Sequence, residues 1–237
     1  MMNFSRNRDG TAPRIDTHAG STMRIVGLCF ALPLAIAVVA FSATSQARES
    51  SVRISKRSFV AKITYCEDCH GTGAQGFRGY YPIPRLAGQQ TQYLRNQLRA
   101  FVDHNRPNPI MSNVAHVLRP ALITAVVNYF HGLNPPPLGG GPRGLVAAGR
   151  RIFQDGIPQR NVAACAACHG PKATGHDQIP RLAGQLYWYV IRELRNWPQE
   201  RGQNPSLPDT SIIMKPVAHS LDRSEIKAVA AYVSQLR

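Results

Sequence analysis

Hydrophobic residues recur three and four positions apart in several short stretches of the chain, and this spacing is typical of amphipathic helices. The clearest stretches cover residues 90–101, the run that opens at Pro120, and residues 144–153. A weaker pattern predicts a short helix that ends at Cys66. Segments rich in glycine and proline lie between these stretches and predict loops. The pattern therefore predicts short helices joined by irregular segments.

The second half of the chain repeats the first. The hexapeptide Pro84–Gln89 recurs letter for letter as Pro180–Gln185. The helical pattern that follows it also recurs, and the matched pairs of positions are Tyr93 and Tyr189, Leu94 and Val190, Gln97 and Glu193, Leu98 and Leu194, and Phe101 and Trp197. A constant order of motifs with small changes in length indicates a duplication.

A segment rich in proline and glycine, residues 135–142, separates the two halves and predicts an extended linker. We therefore predict a first domain over residues 48–134 and a second over residues 143–237. The second half is longer than the first between its helix and its methionine, across residues 199–210. We interpret that difference as a loop insertion.

The N-terminal region predicts an export signal. An apolar run, Ile25–Phe41, leads into Ser45–Ala47, whose small residues suit signal peptidase. We predict that residues 1–47 are removed, with Met23 as an alternative start, and that the remaining chain is periplasmic. One alternative is a retained membrane anchor, but the run falls short of the roughly 20 residues that a spanning helix needs. The other is a lipid-modified Cys29.

The chain is basic, with a formal net charge of +15 at pH 7. Such a charge favours encounters with acidic protein surfaces or anionic lipid headgroups. Nucleic acid is the other common partner of a basic protein, but these lysines and arginines are scattered over both halves instead of being gathered in one helix or arm. We therefore predict protein partners, with association at a membrane surface as a further option, and no nucleic acid.

Each half carries one Cys-x-x-Cys-His motif, and the residues are Cys66, Cys69 and His70, then Cys165, Cys168 and His169. This is the attachment pattern of c-type haem, because the two thiols reach the two vinyl groups of one porphyrin while the adjacent imidazole ligates the iron. A zinc site or a thioredoxin-like redox pair can also contain Cys-x-x-Cys, but the further ligands and the strand context of those sites are not present. The chain is therefore predicted to bind two covalent haem c groups.

The second axial ligand of each iron decides whether a haem carries electrons or binds a small molecule. Met111 and Met214 lie at equivalent positions in the two halves, and no other methionine lies beyond the predicted signal. We predict that both ligate iron, and that each follows an irregular segment ahead of the last helix of its half. His116 and His219, which also match across the halves, are the alternative ligands.

Pro84 and Pro180 are predicted to support the haem histidines. A carbonyl near such a histidine accepts its other ring N–H, which fixes the tautomer and strengthens the ligand. The alternative is that each proline only shapes its loop. Three further histidines, His104, His131 and His176, have no counterpart in the other half, so we predict that they are surface residues.

These motifs resemble the dihaem cytochromes c4. The resemblance rests on Cys-x-x-Cys-His-Gly, on Pro-Arg-Leu-Ala-Gly-Gln with a following tyrosine, and on Met-x-x-x-Ala-x-x-Leu before a final helix, each present twice over residues 56–237. It implies an all-α fold of two tandem cytochrome c-like domains related by an approximate two-fold axis. It also implies haem propionates that face each other across the interface, and periplasmic electron transfer toward a terminal oxidase.

Two functions follow from these observations. The leading hypothesis is a one-electron carrier, not itself an enzyme, between a quinol-oxidising complex and a terminal cytochrome oxidase. The alternative is the dihaem cytochrome subunit of a sulfur-oxidising flavocytochrome, or another dihaem oxidoreductase. A catalytic haem needs an open or displaceable sixth position, whereas each half supplies a methionine. The sequence therefore favours the carrier.

Overall fold

The computed structural model describes residues 54–204 and 210–237, so the predicted signal over residues 1–47 lies outside the described chain. The described residues form ten α-helices and short 3-10 turns, with isolated bridges in place of strands. The helices are α1 (Lys56–His70), α2 (Thr91–Val102), α3 (Pro109–His116), α4 (Pro120–Gly132), α5 (Val146–Asp155), α6 (Ala166–His169), α7 (Tyr187–Arg195), α8 (Trp197–Glu200), α9 (Met214–Ser220) and α10 (Arg223–Val233). The all-α prediction is confirmed.

The described helices are short. No single one of them is long and apolar enough to cross a membrane, and α3 and α4 pass that test only as a pair bent by 118°. The helices of each half instead surround a hydrophobic core of their own. The first core consists of Ile63, Ala74, Ala87, Leu94, Val126, Val127 and Phe130. The second is larger and is centred on α10, where Val229, Ala230, Ala231, Tyr232 and Val233 pack against Phe153 and Ile191.

Helix α1 is longer than the sequence predicted. Its N-terminus is capped by the Ser55 hydroxyl, which accepts a hydrogen bond from the Ser58 backbone N–H at 3.1 Å. It was expected to end at Cys66, but it continues to His70 and includes the whole first haem motif. The helix ends only at Gly71, whose φ of +79° is a backbone conformation that glycine adopts readily.

Helices α5 and α10 cross at close range in the second half. A Cβ atom added at Gly149 would lie 1.9 Å from the Ala228 carbonyl oxygen, so only glycine permits this approach. Helix α5 covers nearly the predicted stretch and ends before Gly156, which has a φ of +68°. The second haem motif begins at Cys165, the residue before the separate short helix α6, whereas the first motif completes α1.

The repeated hexapeptide joins the two halves. The side chain of Gln185 accepts a hydrogen bond from the Arg85 backbone N–H at 2.9 Å and donates one to the Arg85 carbonyl at 3.1 Å. Gln89 makes the same two bonds to the Arg181 backbone, at 2.7 and 3.0 Å. Because each copy of the motif binds the other in the same way, the junction has approximate two-fold symmetry.

The predicted linker, residues 135–142, contains no helix and lies against the first half. The Pro135 carbonyl accepts a hydrogen bond from the Arg85 guanidinium at 2.9 Å, and the Pro136 carbonyl accepts one from the Gln75 amide at 2.8 Å. Side chains of the first half therefore hold the first part of the linker, whereas the Gly141 carbonyl near its other end accepts a hydrogen bond from the Gln235 side chain at 3.4 Å. The domain boundaries on either side of it stay predictions.

Candidate haem sites

The cysteines of each haem motif share one turn of helix. Cys66 and Cys69 lie near the end of α1, and Cys165 and Cys168 lie at and within α6. Side chains three positions apart on a helix share one face, so both thiols of a pair can bond to the same porphyrin. Burial raises the pKa of the Cys66 and Cys165 thiols to about 11.

A protonated thiol is a poor redox nucleophile, because attack requires the thiolate, and this weighs against a thioredoxin-like pair. The described residues also contain no group of three or more His, Cys, Asp and Glu side chains that could hold a metal ion by themselves. This observation gives the zinc alternative no support. The thiols of each pair remain available for thioether bonds.

The two motif histidines have the same environment. His70 is 7% exposed, and its Nδ1 lies 2.8 Å from the Pro84 carbonyl oxygen. His169 is 4% exposed, and its Nδ1 lies 2.9 Å from the Pro180 carbonyl oxygen. In the tautomer that suits these contacts, Nδ1–H donates to the carbonyl and the Nε2 lone pair remains for a metal.

Burial lowers the pKa of both histidines, although the hydrogen bonds to Pro84 and Pro180 act in the opposite direction. The charge of Arg106 lowers the pKa of His70 a little further. The imidazoles are therefore held neutral, and neutral imidazole is the form that ligates iron.

The two methionines lie in short helices that the sequence analysis did not resolve. Met111 is the third residue of α3, where its backbone N–H donates to the capping side chain of Asn108 at 2.9 Å. Met214 is the first residue of α9, directly after a 3-10 turn. An irregular segment, residues 103–108, precedes Met111, although Pro109 begins α3 two residues before the methionine.

The alternative histidine ligands lie elsewhere on the same helices. His116 and His219 are exposed near the C-terminal ends of α3 and α9. Each is five residues beyond the methionine, which is about 140° around a helix from it. This geometry favours the methionines as the second axial ligands, and the assignment stays a prediction.

The donors of each half fit a c-type haem. Each half offers two neighbouring thiols, a buried neutral imidazole oriented by a proline carbonyl, and a half-buried thioether on a short helix. Two thiols suit covalent attachment through the vinyl groups, and imidazole with thioether is the ligand pair of electron-transfer cytochromes c. The chain binds two covalently attached haem c groups.

A buried ionic cluster, which the sequence analysis missed, lies where the two halves meet. The Nη1 atom of Arg106 donates to Gln97 Oε1 of α2 at 2.8 Å. Its Nη2 atom donates to two side chains of α7, Tyr189 Oη at 2.7 Å and Glu193 Oε2 at 3.3 Å. The Arg106 and Glu193 side chains are 9% and 7% exposed. Burial lowers the pKa of Arg106, but Tyr189 and Glu193 outweigh this effect and raise it, so the guanidinium stays charged.

Comparisons with known proteins place the chain among cytochromes. The sequence pattern of the cytochrome c family matches residues 146–237. Cytochrome c-552 of Acidithiobacillus ferridurans is 37% identical over 177 residues, which cover 72% of this chain and 73% of that protein. A thiosulfate dehydrogenase electron acceptor of Thiomonas intermedia is 35% identical, over 71% of this chain and 77% of that protein. The solved structure of cytochrome c4 from Acidithiobacillus ferrooxidans matches with a TM-score of 0.63 and 35% identity, over 73% of this chain and 99% of that one.

Proposed function

Since the chain belongs to the dihaem cytochrome c4 family of electron carriers, we propose that it takes single electrons from a quinol-oxidising complex and delivers them to a terminal cytochrome oxidase. The observation that carries this proposal is the matched donor set of the two halves. Each half has a buried histidine bonded to a proline carbonyl and a methionine in a short helix, so each half offers two axial ligands.

Iron held by imidazole and thioether changes its oxidation state without forming or breaking bonds to a substrate. With haem bound, His70 and His169 would each supply an imidazole to the iron, and the Pro84 and Pro180 carbonyls orient their rings. Met111 and Met214 would each supply a thioether. A haem held by two protein ligands would exchange electrons with a partner that contacts the surface of the chain, without binding a substrate.

The charge of the chain favours acidic partners. Without the predicted signal, which carries four arginines and two aspartates, the formal net charge falls from +15 to +13, and this charge attracts proteins that present carboxylates around their own redox centres. The attraction raises the rate of encounter and makes that rate depend on salt. We place this exchange in the periplasm, because the apolar run and the small residues before position 47 favour export.

A second candidate function concerns the oxidation of sulfur compounds. One relative is named an electron acceptor of thiosulfate dehydrogenase and is 35% identical to this chain. The corresponding proposal is that this chain accepts electrons from a sulfur-oxidising enzyme, within a stable complex or during transient contact. In either case the chemistry of the sulfur compound takes place on the enzyme, and the haem ligands proposed above are unchanged.

An optical redox titration of the purified holoprotein, followed by carbon monoxide, tests the carrier. We expect both haems to titrate at positive potentials, to show methionine ligation when ferric, and to ignore carbon monoxide when reduced. Met111→Ala and Met214→Ala should each open one haem to carbon monoxide, which assigns the two centres. A wild-type haem that binds carbon monoxide readily would have a displaceable sixth ligand, and the carrier proposal would give way to an enzymatic one.

The two electron donors are distinguished by stopped-flow reduction of the oxidised holoprotein. One mixture contains a purified quinol-oxidising complex with quinol, and the other contains a thiosulfate-oxidising enzyme with thiosulfate. Fast reduction only in the first supports the respiratory role. Fast reduction only in the second supports the sulfur-oxidising role.

A further inference from the structure

The insertion in the second half binds the first half. Its described residues include Gln203, whose backbone N–H donates to the Asn105 carbonyl at 3.1 Å. The Asn204 backbone N–H donates to Asn105 Oδ1 at 3.0 Å, and the Asn204 side chain donates to the Asp103 carbonyl at 3.2 Å. The described part of the insertion, which ends at Asn204, therefore holds the turn that follows α2 of the other half.

The buried ionic cluster holds the same turn. The Glu193 carboxylate bonds Arg106 and Arg201, and it also accepts a hydrogen bond from Arg192 at 3.1 Å. Arg201 and Glu193 are 7% and 6% exposed, so solvent screens these charges little. Removing one partner of such a buried group leaves an uncompensated charge, which is strongly destabilising.

The turn held in this way leads directly to Met111. The backbone N–H of Arg106 donates to the Ala100 carbonyl at 3.0 Å, and two residues later Asn108 caps α3 by accepting from the Met111 N–H. The Ser112 hydroxyl donates to the Phe101 carbonyl at 2.9 Å, which ties α3 to the end of α2. The position of Met111 thus depends on residues 103–108. Three residues of the second half, Glu193, Gln203 and Asn204, bind this segment directly, and Arg201 binds Glu193. We call these four residues the clamp.

The segment before Met214 is held by a hydrogen bond within its own half. The indole N–H of Trp197 donates to the Ser211 carbonyl at 3.1 Å, three residues before the methionine. The two halves therefore differ. The methionine segment of the first half is held by the second half, while a contact inside the second half holds the segment before Met214.

We propose that Glu193 and Asn204 are positioning residues for Met111, so that the second half sets the strength of methionine ligation at the first haem. This inference rests on the proposed function, in which Met111 and Met214 are the axial ligands. It assigns a role to an insertion that the repeat alone does not explain. The clamp also makes α7 of the second half part of the first haem site, although α7 carries no ligand of that haem.

Imidazole binding to the ferric holoprotein tests the clamp, because imidazole competes with a methionine for iron. We expect Glu193→Gln to raise the imidazole affinity of the first haem by at least about tenfold, which equals about 1.4 kcal/mol, and to leave the second haem unchanged. Asn204→Ala, which changes no charge, should raise it about threefold. Glu193→Asp should restore part of the wild-type affinity. The control is Asp155→Asn, which removes the same charge from an exposed position at the end of α5 and should have no effect.

The wild-type spectrum separates the two possible failures. If the ferric wild type lacks methionine ligation at the first haem, the ligand assignment and the clamp are both overturned. If both haems are methionine-ligated and Glu193→Gln and Asn204→Ala bind imidazole as the wild type does, the clamp alone is overturned. An equal rise at both haems also overturns it, because the clamp predicts an effect at the first haem only. If Glu193→Gln does not accumulate as holoprotein, Asn204→Ala decides the question.

Discussion

Replacing Gln185 with alanine should separate the contribution of the junction from that of the two cores. The change removes three hydrogen bonds, with the Arg85 N–H, the Arg85 carbonyl and the Leu186 N–H. Arg85 is 4% exposed and Gln185 is 6% exposed, so water does not readily replace the lost partner. An unsatisfied buried group costs about 1–3 kcal/mol. Because the backbone around the three unpaired groups can shift to recover part of this cost, we expect a loss of about 3 kcal/mol in the free energy of unfolding.

Urea unfolding of the ferric holoprotein, followed by far-UV circular dichroism and haem absorbance, measures this loss as a shift in midpoint. Gln89→Ala should cost a similar amount, since Gln89 makes the matching bonds to Arg181. Gln92→Ala is the surface control, because Gln92 bonds Asn96 in solvent, and it should change the free energy by less than about 0.5 kcal/mol. A Gln185→Ala midpoint equal to that of Gln92→Ala would refute the reasoning.

Three further results are expected. Gly149→Ala should lower the free energy of unfolding by about 1–3 kcal/mol, because the new Cβ would meet the Ala228 carbonyl, and an unchanged urea midpoint would contradict this. Hydrogen bonds from Ser224, and then from the Glu225 backbone, hold the pKa of Asp222 below its ordinary 3.8. The Asp222 carboxylate therefore stabilises α10 above pH 3.8, and this stabilisation is lost as the pH falls through the lowered pKa of the folded state. The urea midpoints of wild type and Asp222→Asn should therefore converge in acid, and a constant difference would argue against this role. Electron transfer to an acidic redox protein should slow as ionic strength rises, and a salt-independent stopped-flow rate would count against electrostatic steering.

Local patterns in the sequence were sufficient for the longer helices. Apolar spacing predicted residues 90–101 against the observed Thr91–Val102, and Pro120 marked the first turn of α4 as expected. The end of α1 was predicted wrongly because the apolar pattern fades at Cys66. The polar residues that follow are still compatible with a helix surface, and no residue that ends a helix occurs before Gly71.

The contacts between the halves could not be predicted in the same way. Periodicity treated Gln97 and Glu193 as equivalent packing positions, yet both bind Arg106, which approaches from a turn outside either helix. Their bonds join residues far apart in sequence, and spacing rules carry no information about such pairs. The available signal was a charged residue at a core-facing position of α7, which in a folded protein requires a buried partner.

His131 shows the same limit on a smaller scale. It was predicted to be a surface residue because the other half has no counterpart, and it is exposed. Its Nδ1 nevertheless lies 2.9 Å from the Gln89 carbonyl, next to the junction. The repeat could show where the halves differ, but it could not show that a residue without a counterpart still contacts a shared motif.

The junction formed by the two copies of the hexapeptide has a consequence for how such a chain arises. Each copy of the motif is complementary to itself, since a glutamine of one copy binds the arginine backbone of the other in both directions. A single-haem ancestor with this motif would have carried half of an isologous dimer interface on its surface. Duplication and fusion would place both copies of this interface in one chain, so that the two domains associate within the molecule. Such domains do not dissociate on dilution, as two separate molecules would.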